Sequence, residues 1–260
     1  MIKAVFFDID WTLYDHEAKR FVPTAIEGIK KLKEKGIKVF ICSARNTESI
    51  FSFGLYNLGI EWDGFISSAG AFAVIGKDHV VRKTLMEHED LVKLSSLVLK
   101  NDLTMQMVTP WSRFLIAPPN EFYKSYQEIF HDDCPTIHSY SNEEVTGTLL
   151  YAPDKYDDIF MKAFPNLSFF RFAECGVDIN GGRHEKGEGI KAIRDELGLL
   201  KEECVSFGDD IQDISMADET GVFVCMGNGK EEVKKRATLV TSKVGENGVY
   251  LALVQLGLLP

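Results

Sequence analysis

Two carboxylates one residue apart, Asp8 and Asp10, follow the nearly unbroken apolar run of residues 2–7. A run of that kind, short and without polar alternation, reads as a strand buried on both faces of a parallel sheet. Ligands of open α/β sheets bind at the carboxyl ends of such strands, and that is where the two acids stand. Side by side and partly dehydrated, they repel each other. A metal ion or phosphate chemistry gives a reason to keep them there.

Three further residues suit the same chemistry. Ser43 ends the apolar run 37–42, Asp209 follows the apolar run 204–207, and Lys186 opens a helical stretch. Strand ends of one parallel sheet converge on one edge, so these residues are expected to meet Asp8 and Asp10. A carboxylate can attack phosphorus and carry it as an aspartyl phosphate. Mg²⁺ takes oxygen ligands, commonly one or two carboxylates together with a substrate phosphate; Asp8 and Asp209 could supply them. The Ser43 hydroxyl, with backbone N–H groups of the turn at Ala44, can hold equatorial phosphoryl oxygens. Lys186 would offset charge on nucleophile and phosphate, leaving Asp10 to protonate a leaving alcohol and later take a proton from water.

The elements that must position these groups alternate in the first third of the chain. Pro23 opens a helix whose Ile26, Ile29 and Leu32 share one face and Gly36 closes it. Residues 37–42 form the second strand. Asn46 is expected to cap a helix ending near Gly59, followed by a strand at 64–67 and a hairpin turning at residues 76–78. Between residues 84 and 183 the pattern changes to strands in adjacent pairs near 105–109, 113–117, 148–152, 167–172 and 175–180. Helices are expected at 87–99, after Pro119 and from Asp154, with 131–144 as loop. This reads as an antiparallel sheet with helices on one side. From Lys186 the alternation returns: a helix to Gly198, the strand 204–207, a helix, a strand at 222–226, and two more helices. The fold class is therefore α/β, a doubly wound parallel sheet interrupted by an α+β insertion. The core is expected at residues 1–82 and 184–260, and the insertion at 83–183.

Composition narrows the function classes. A net charge of −10 argues against general binding to nucleic acid or anionic membrane, both of which rely on basic patches. It leaves a small anionic substrate open. The five cysteines are scattered and odd in number, which favours free thiols in a reducing, cytoplasmic setting over a disulfide framework or a zinc site. No stretch approaches a membrane-spanning length, and the first residues read as a strand rather than a cleaved signal. A monomer or small homo-oligomer is expected.

The segment Asp8-Ile9-Asp10-Trp11-Thr12-Leu13 resembles the DxDxT signature of the haloacid dehalogenase superfamily. Ser43 resembles its second motif, Lys186-Gly187 its third, and Gly208-Asp209 with Asp213 its fourth. Four motifs in order, with an insertion between the second and third, look like the Cof-type phosphatases and their α/β cap. The resemblance implies an Mg²⁺-dependent phosphatase acting on a small phosphorylated metabolite, with sugar phosphates as the default class and the cap setting specificity. Asp8 would be nucleophile and metal ligand; Asp10 would be general acid/base and offer its backbone carbonyl to the metal. Asp209 would be the third protein ligand. Ser43, Ala44, Lys186 and Gln212 would bind the phosphoryl group, and Asp213 would orient Lys186 or metal-bound waters. Three positions depart from the pattern: Trp11 replaces a common Gly, Gln212 an Asn, and Ala69 an Asn. Trp11 is the aromatic expected to line the pocket.

A phosphomutase would share every motif, and a non-catalytic binding protein on the same fold is the rival from another class. A dehalogenase needs no Mg²⁺, so the pairing of Asp10 with Asp209 argues against it. Among neighbouring residues, Asp210 reads as a helix N-cap, Arg45 as an ion-pair partner, His184 and Glu185 as hinge or surface groups, and Phe169, Phe170 and Phe172 as sheet core.

Overall fold

Residue alternation along the first strand builds the larger part of the fold. In Ala4–Phe7, Val5 and Phe7 enter one apolar layer while Ala4 and Phe6 enter another. A strand buried on both faces needs helices on both. The computed structural model describes residues 1–130, 133–182 and 184–260 and divides them into two units. The first holds residues 1–45, 50–82 and 185–260; the second holds 46–49 and 83–184.

The first unit carries an eight-stranded sheet. Its order is Leu239–Val240, Val222–Cys225, Cys204–Gly208, Ala4–Phe7, Lys38–Cys42, Gly64–Ser67, Phe72–Ile75, His79–Lys83. The first six run parallel, and Phe72–Ile75 returns antiparallel. Helices Pro23–Glu34 and Gly248–Gln255 cover one face through Ile26, Ile29, Leu32, Ala252 and Leu253. Helix Lys186–Glu196 covers the other through Ile190 and Ile193. This is the doubly wound arrangement expected.

Several local expectations need correction. The helix capped by Asn46 covers only Thr47–Ser52, because Gly54 turns left-handed at φ +87 and Leu55–Leu58 continues as a 3₁₀ turn. The cap itself is present, with Ser49 N donating to Asn46 Oδ1 at 2.8 Å. The segment after Asp210 is a 3₁₀ helix, Ile211–Asp218. A two-residue strand at Leu239–Val240 and a small hairpin, Tyr14–Asp15 with Arg20–Phe21, carry too few residues to show a period in sequence.

The second unit holds a six-stranded sheet ordered Thr136–Ile137, Arg113–Leu115, Thr104–Val108, Gly147–Tyr151, Gly176–Asn180, Ser168–Ala173. All neighbours are antiparallel except the first pair. Its helices do not all lie on one side. His88–Lys100 and Asp157–Ala163 pack with Met105, Met107, Phe114 and Ile179. Glu121–Phe130 packs through Tyr123 and Tyr126 with Leu115 and Tyr151, which point the opposite way. Aromatic bulk on that helix matches the aromatic side chains of the opposite face. Thr136–Ile137 lies within the stretch expected as loop; His131 and Asp132 of that stretch, and the expected boundary residue Arg183, lie outside the described residues. Phe169 and Phe172 do pack into the two apolar layers, whereas Phe170 is 39% exposed.

Candidate active site

Three segments distant in sequence meet at Lys186. Its ammonium, 4% exposed, donates to Asp8 Oδ1 at 2.5 Å and to Asp213 Oδ1 at 2.6 Å. Asp8 leaves the end of the first strand, Lys186 starts its helix, and Asp213 sits one turn into the 3₁₀ helix. The free oxygen of Asp213 caps that helix, accepting from Asp209 N at 2.8 Å and Asp210 N at 2.9 Å. Gly208 makes this approach possible, since a Cβ there would stand 2.5 Å from the Asp213 carboxyl carbon. Asp210 is the N-cap expected, accepting from Ile211 N at 2.5 Å, and it also pairs with Lys230.

One carboxylate oxygen each from Asp8, Asp209 and Asp213 lies within 4.8 Å of the other two. Three acids thus face a single ammonium. Burial pushes the Asp8 carboxyl up to about 7 against the pull of Lys186, with Asp213 and Asp10 adding repulsion. Asp209 is pushed up to about 9 by burial and then by Asp8 and Asp213. Burial by itself would lower Lys186, but Asp213 and Asp8 hold it well above the ordinary lysine range. An all-oxygen donor set with surplus negative charge fits a hard divalent cation such as Mg²⁺. Asp213 already spends its oxygens on Lys186 and two backbone amides, which leaves Asp8 and Asp209 as the available carboxylates.

Asp10 stands apart from that cluster. Its Oδ1 takes Arg45 Nη2 at 2.8 Å and His16 Nε2 at 2.7 Å, and its Oδ2 takes Arg45 Nε at 2.8 Å. Burial would raise this carboxyl, yet the hydrogen bonds from His16 and Arg45 hold it well below the usual carboxylate range. The Arg45 guanidinium in turn lies 3.7 Å over the Phe53 ring. Arg45 is therefore the ion-pair partner expected, with Asp10 as its partner. His16 had no sequence signal: it lies on the two-stranded hairpin that escaped the periodicity reading.

Ser43 is buried, and its hydroxyl accepts from Arg45 N at 3.1 Å, a local turn bond. Ala44 beside it is exposed. Gln212 is half-buried; its side chain makes no hydrogen bond among the described residues. Trp11 adopts φ +59, the left-handed region that explains why Gly is common at this position in the Cof-type pattern. Its indole is 36% exposed and tilts against His16 at 5.1 Å. Asn228 ties this corner together, donating to Trp11 O at 3.0 Å and lying 3.4 Å from Asp209 Oδ2. Sequence reasoning missed Asn228, although the Gly-Asn-Gly turn after the strand Val222–Cys225 marks the same sheet edge.

Residues 5–253 match the family of haloacid dehalogenase-like hydrolases. The chain belongs to that family. It is similar to "Putative phosphatase YkrA" of Bacillus subtilis (strain 168), with 30% identity over 99% of this chain and 98% of that protein. Among solved structures, it is similar to a protein from Geobacillus kaustophilus HTA426, with TM-score 0.91, 28% identity and full coverage of both chains. It is also similar to BT4131, described as a sugar phosphatase of subclass IIB of the same superfamily. There the TM-score is 0.83 and the identity 28%, over 99% of this chain and 100% of the other. This haloacid dehalogenase-like chain is a hydrolase of phosphate esters, as the four motifs implied. Among the described residues, no helix is long and apolar enough to cross a membrane.

Proposed function

We propose that the chain is a Mg²⁺-dependent phosphatase of a small phosphorylated metabolite, a sugar phosphate by preference, working through an aspartyl phosphate on Asp8. The observation that supports this most directly is Lys186 held between Asp8 and Asp213 inside a cluster with one more acid than those two contacts engage. Asp8 and Asp209 would hold the cation with the Asp10 carbonyl, and the bound cation would supply charge neutralisation for nucleophile and phosphoryl oxygens.

In this reading an Asp8 oxygen bonds to phosphorus while the ester P–O bond breaks, and Lys186 stays beside both to balance the charge. The Ser43 hydroxyl, the Ala44 amide and Gln212 hold phosphoryl oxygens. Asp10 donates a proton to the departing alcohol, then takes one from the water that attacks phosphorus, which frees Asp8 and releases phosphate. A carboxylate engaged by Arg45 and His16 cannot carry that proton. Asp10 must turn out of this pairing before it acts, so the arrangement described is a resting one. The second unit would select the substrate, and the setting would be cytoplasmic.

Phosphate release from p-nitrophenyl phosphate with Mg²⁺ tests the reading. Asp8→Asn should abolish it while Mg²⁺-free folding persists. Wild-type protein as inert as the variant, across a panel of phosphorylated metabolites, would favour a binding protein instead. Isomerised sugar phosphate with little free phosphate would favour a mutase.

A further inference from the structure

Trp11 keeps a backbone conformation that a bulky L residue resists. At φ +59 its Cβ crowds the neighbouring carbonyl, and such strain persists only where the surroundings fix both adjoining peptides. One of them is fixed locally: Trp11 N donates to Tyr14 O at 2.9 Å. That peptide also carries the Asp10 carbonyl. The other is fixed from 217 residues away, where Asn228 Nδ2 donates to Trp11 O at 3.0 Å. The reaction described above assigns Asn228 no part.

The turn that carries Asn228 is itself clamped on two sides. Met226 N donates to Gly208 O at 3.0 Å and Lys230 N to Asp209 O at 3.1 Å, which ties it to the end of the strand Cys204–Gly208. Gly227 N donates to Ser242 O at 3.0 Å, which ties it to the segment before Val244. The approach to Asp209 is close enough that a Cβ at Gly229 would stand 2.9 Å from Asp209 O. Within this clamp the Asn228 amide has one workable orientation. Val244 N, a donor, lies 2.8 Å from Oδ1 and needs an oxygen there. The NH₂ group must then face the two acceptors on the other side, Trp11 O and Asp209 Oδ2, the latter at a longer 3.4 Å. Its two hydrogens match two acceptors.

The geometry points to Asn228 as a positioning residue: a single amide that fixes the Trp11 peptide and the Asp209 carboxylate at one spacing. Rotation about the Trp11 backbone would swing the Asp10 carbonyl, and rotation of the Asp209 side chain would move its oxygens. Asn228 opposes both, so the two segments are arranged before a cation arrives. Groups that hold metal ligands in this way govern affinity without touching the ion. That these segments supply cation ligands rests on the phosphatase reading; that Asn228 holds the Trp11 turn does not.

Two measurements on the whole chain test this. In calorimetric titration with MgCl₂, Asn228→Ala should weaken binding about 10–100-fold, the usual effect of losing a group that orients a metal ligand. The control is Thr241→Val, which removes the hydroxyl bond to Gly248 O at 2.7 Å in the adjoining segment and leaves the Asn228 amide in place. It should lower the melting temperature yet keep Mg²⁺ affinity within about twofold. Unchanged affinity in Asn228→Ala, or equal losses in both variants, would overturn the proposal. The second measurement needs no metal. The chain has three tryptophans, so ¹⁵N-labelled protein shows three indole N–H signals, and the one lost in Trp11→Phe belongs to Trp11. That ring packs against His16 at 5.1 Å, so its signal reports where the turn holds it. In chelator, Asn228→Ala should shift or broaden the Trp11 signal and leave those of Trp62 and Trp111 in place. Asn228→Asp keeps the shape and the bond from Val244 N while setting an oxygen against Trp11 O, and it should move the same signal. A Trp11 signal unmoved in both variants overturns the positioning role. If wild-type protein binds no Mg²⁺, the metal reading fails, and the indole signals alone decide the part played by Asn228.

Discussion

Lys186→Met removes the ammonium that separates two buried acids and keeps an unbranched stem of similar size. Asp8 and Asp213 side chains are 7% and 1% exposed, so neither can turn to water for compensation. Leaving a buried charge without its partner costs about 3–5 kcal/mol, about a fifth or more of the roughly 5–15 kcal/mol that holds a typical domain folded. The deficit should depend on pH. The Asp8 carboxyl already sits at about 7 with Lys186 beside it, and losing the lysine raises it further. A carboxyl whose folded pKa lies above its unfolded value binds more protons when folded, so stability falls as pH climbs between the two. At pH 5 the folded variant keeps that proton and the penalty shrinks; at pH 8 it is fully expressed. Urea unfolding of wild type and variant, in chelator, at both pH values measures this. The expected deficit is about 3–5 kcal/mol at pH 8 and smaller by at least about 1.4 kcal/mol, one pKa unit, at pH 5. Equal deficits at the two pH values would mean that Lys186 contributes packing rather than charge, and the electrostatic account of the site would be wrong.

The chelated wild-type protein should itself lose stability as pH rises from about 5 to about 9, because Asp8 and Asp209 are raised to about 7 and about 9. Mg²⁺ should recover most of the loss in thermal unfolding, and a pH-independent melting temperature without metal would contradict the crowding of these acids. Asp209→Asn should remove most of the Mg²⁺-dependent stabilisation measured by calorimetry; an undiminished metal response would place the cation elsewhere. Asp10→Ala should slow hydrolysis of alkyl phosphates about 10²–10⁴-fold, the usual range for proton transfer. It should slow p-nitrophenyl phosphate far less and leave Mg²⁺ affinity nearly intact. Equal slowing of both substrates would remove the proton-transfer role.

The parallel sheet was legible because its strands are apolar on both faces: residues 2–7, 37–42 and 204–207 show the same pattern wherever a strand is covered twice. Elements without a period were not legible. The hairpin Tyr14–Asp15 with Arg20–Phe21 spans two residues per strand, and the strand Leu239–Val240 is as short. The placement of Glu121–Phe130 on the second face of its sheet also escaped, because an amphipathic helix states which of its own sides is apolar and not which sheet face will receive it.

By themselves, the residues Asp8, Asp10, Ser43, Lys186, Asp209 and Asp213 determined the family and the class of reaction, since their order and the strands before them bring strand ends to one edge. The tertiary structure decided how the charges are shared: Lys186 serves Asp8 and Asp213, while Asp10 pairs with Arg45 and His16. The reason is that a hydrogen bond or ion pair depends on distance and on the exclusion of water. Neither is set by spacing along the chain once the partners are dozens of residues apart.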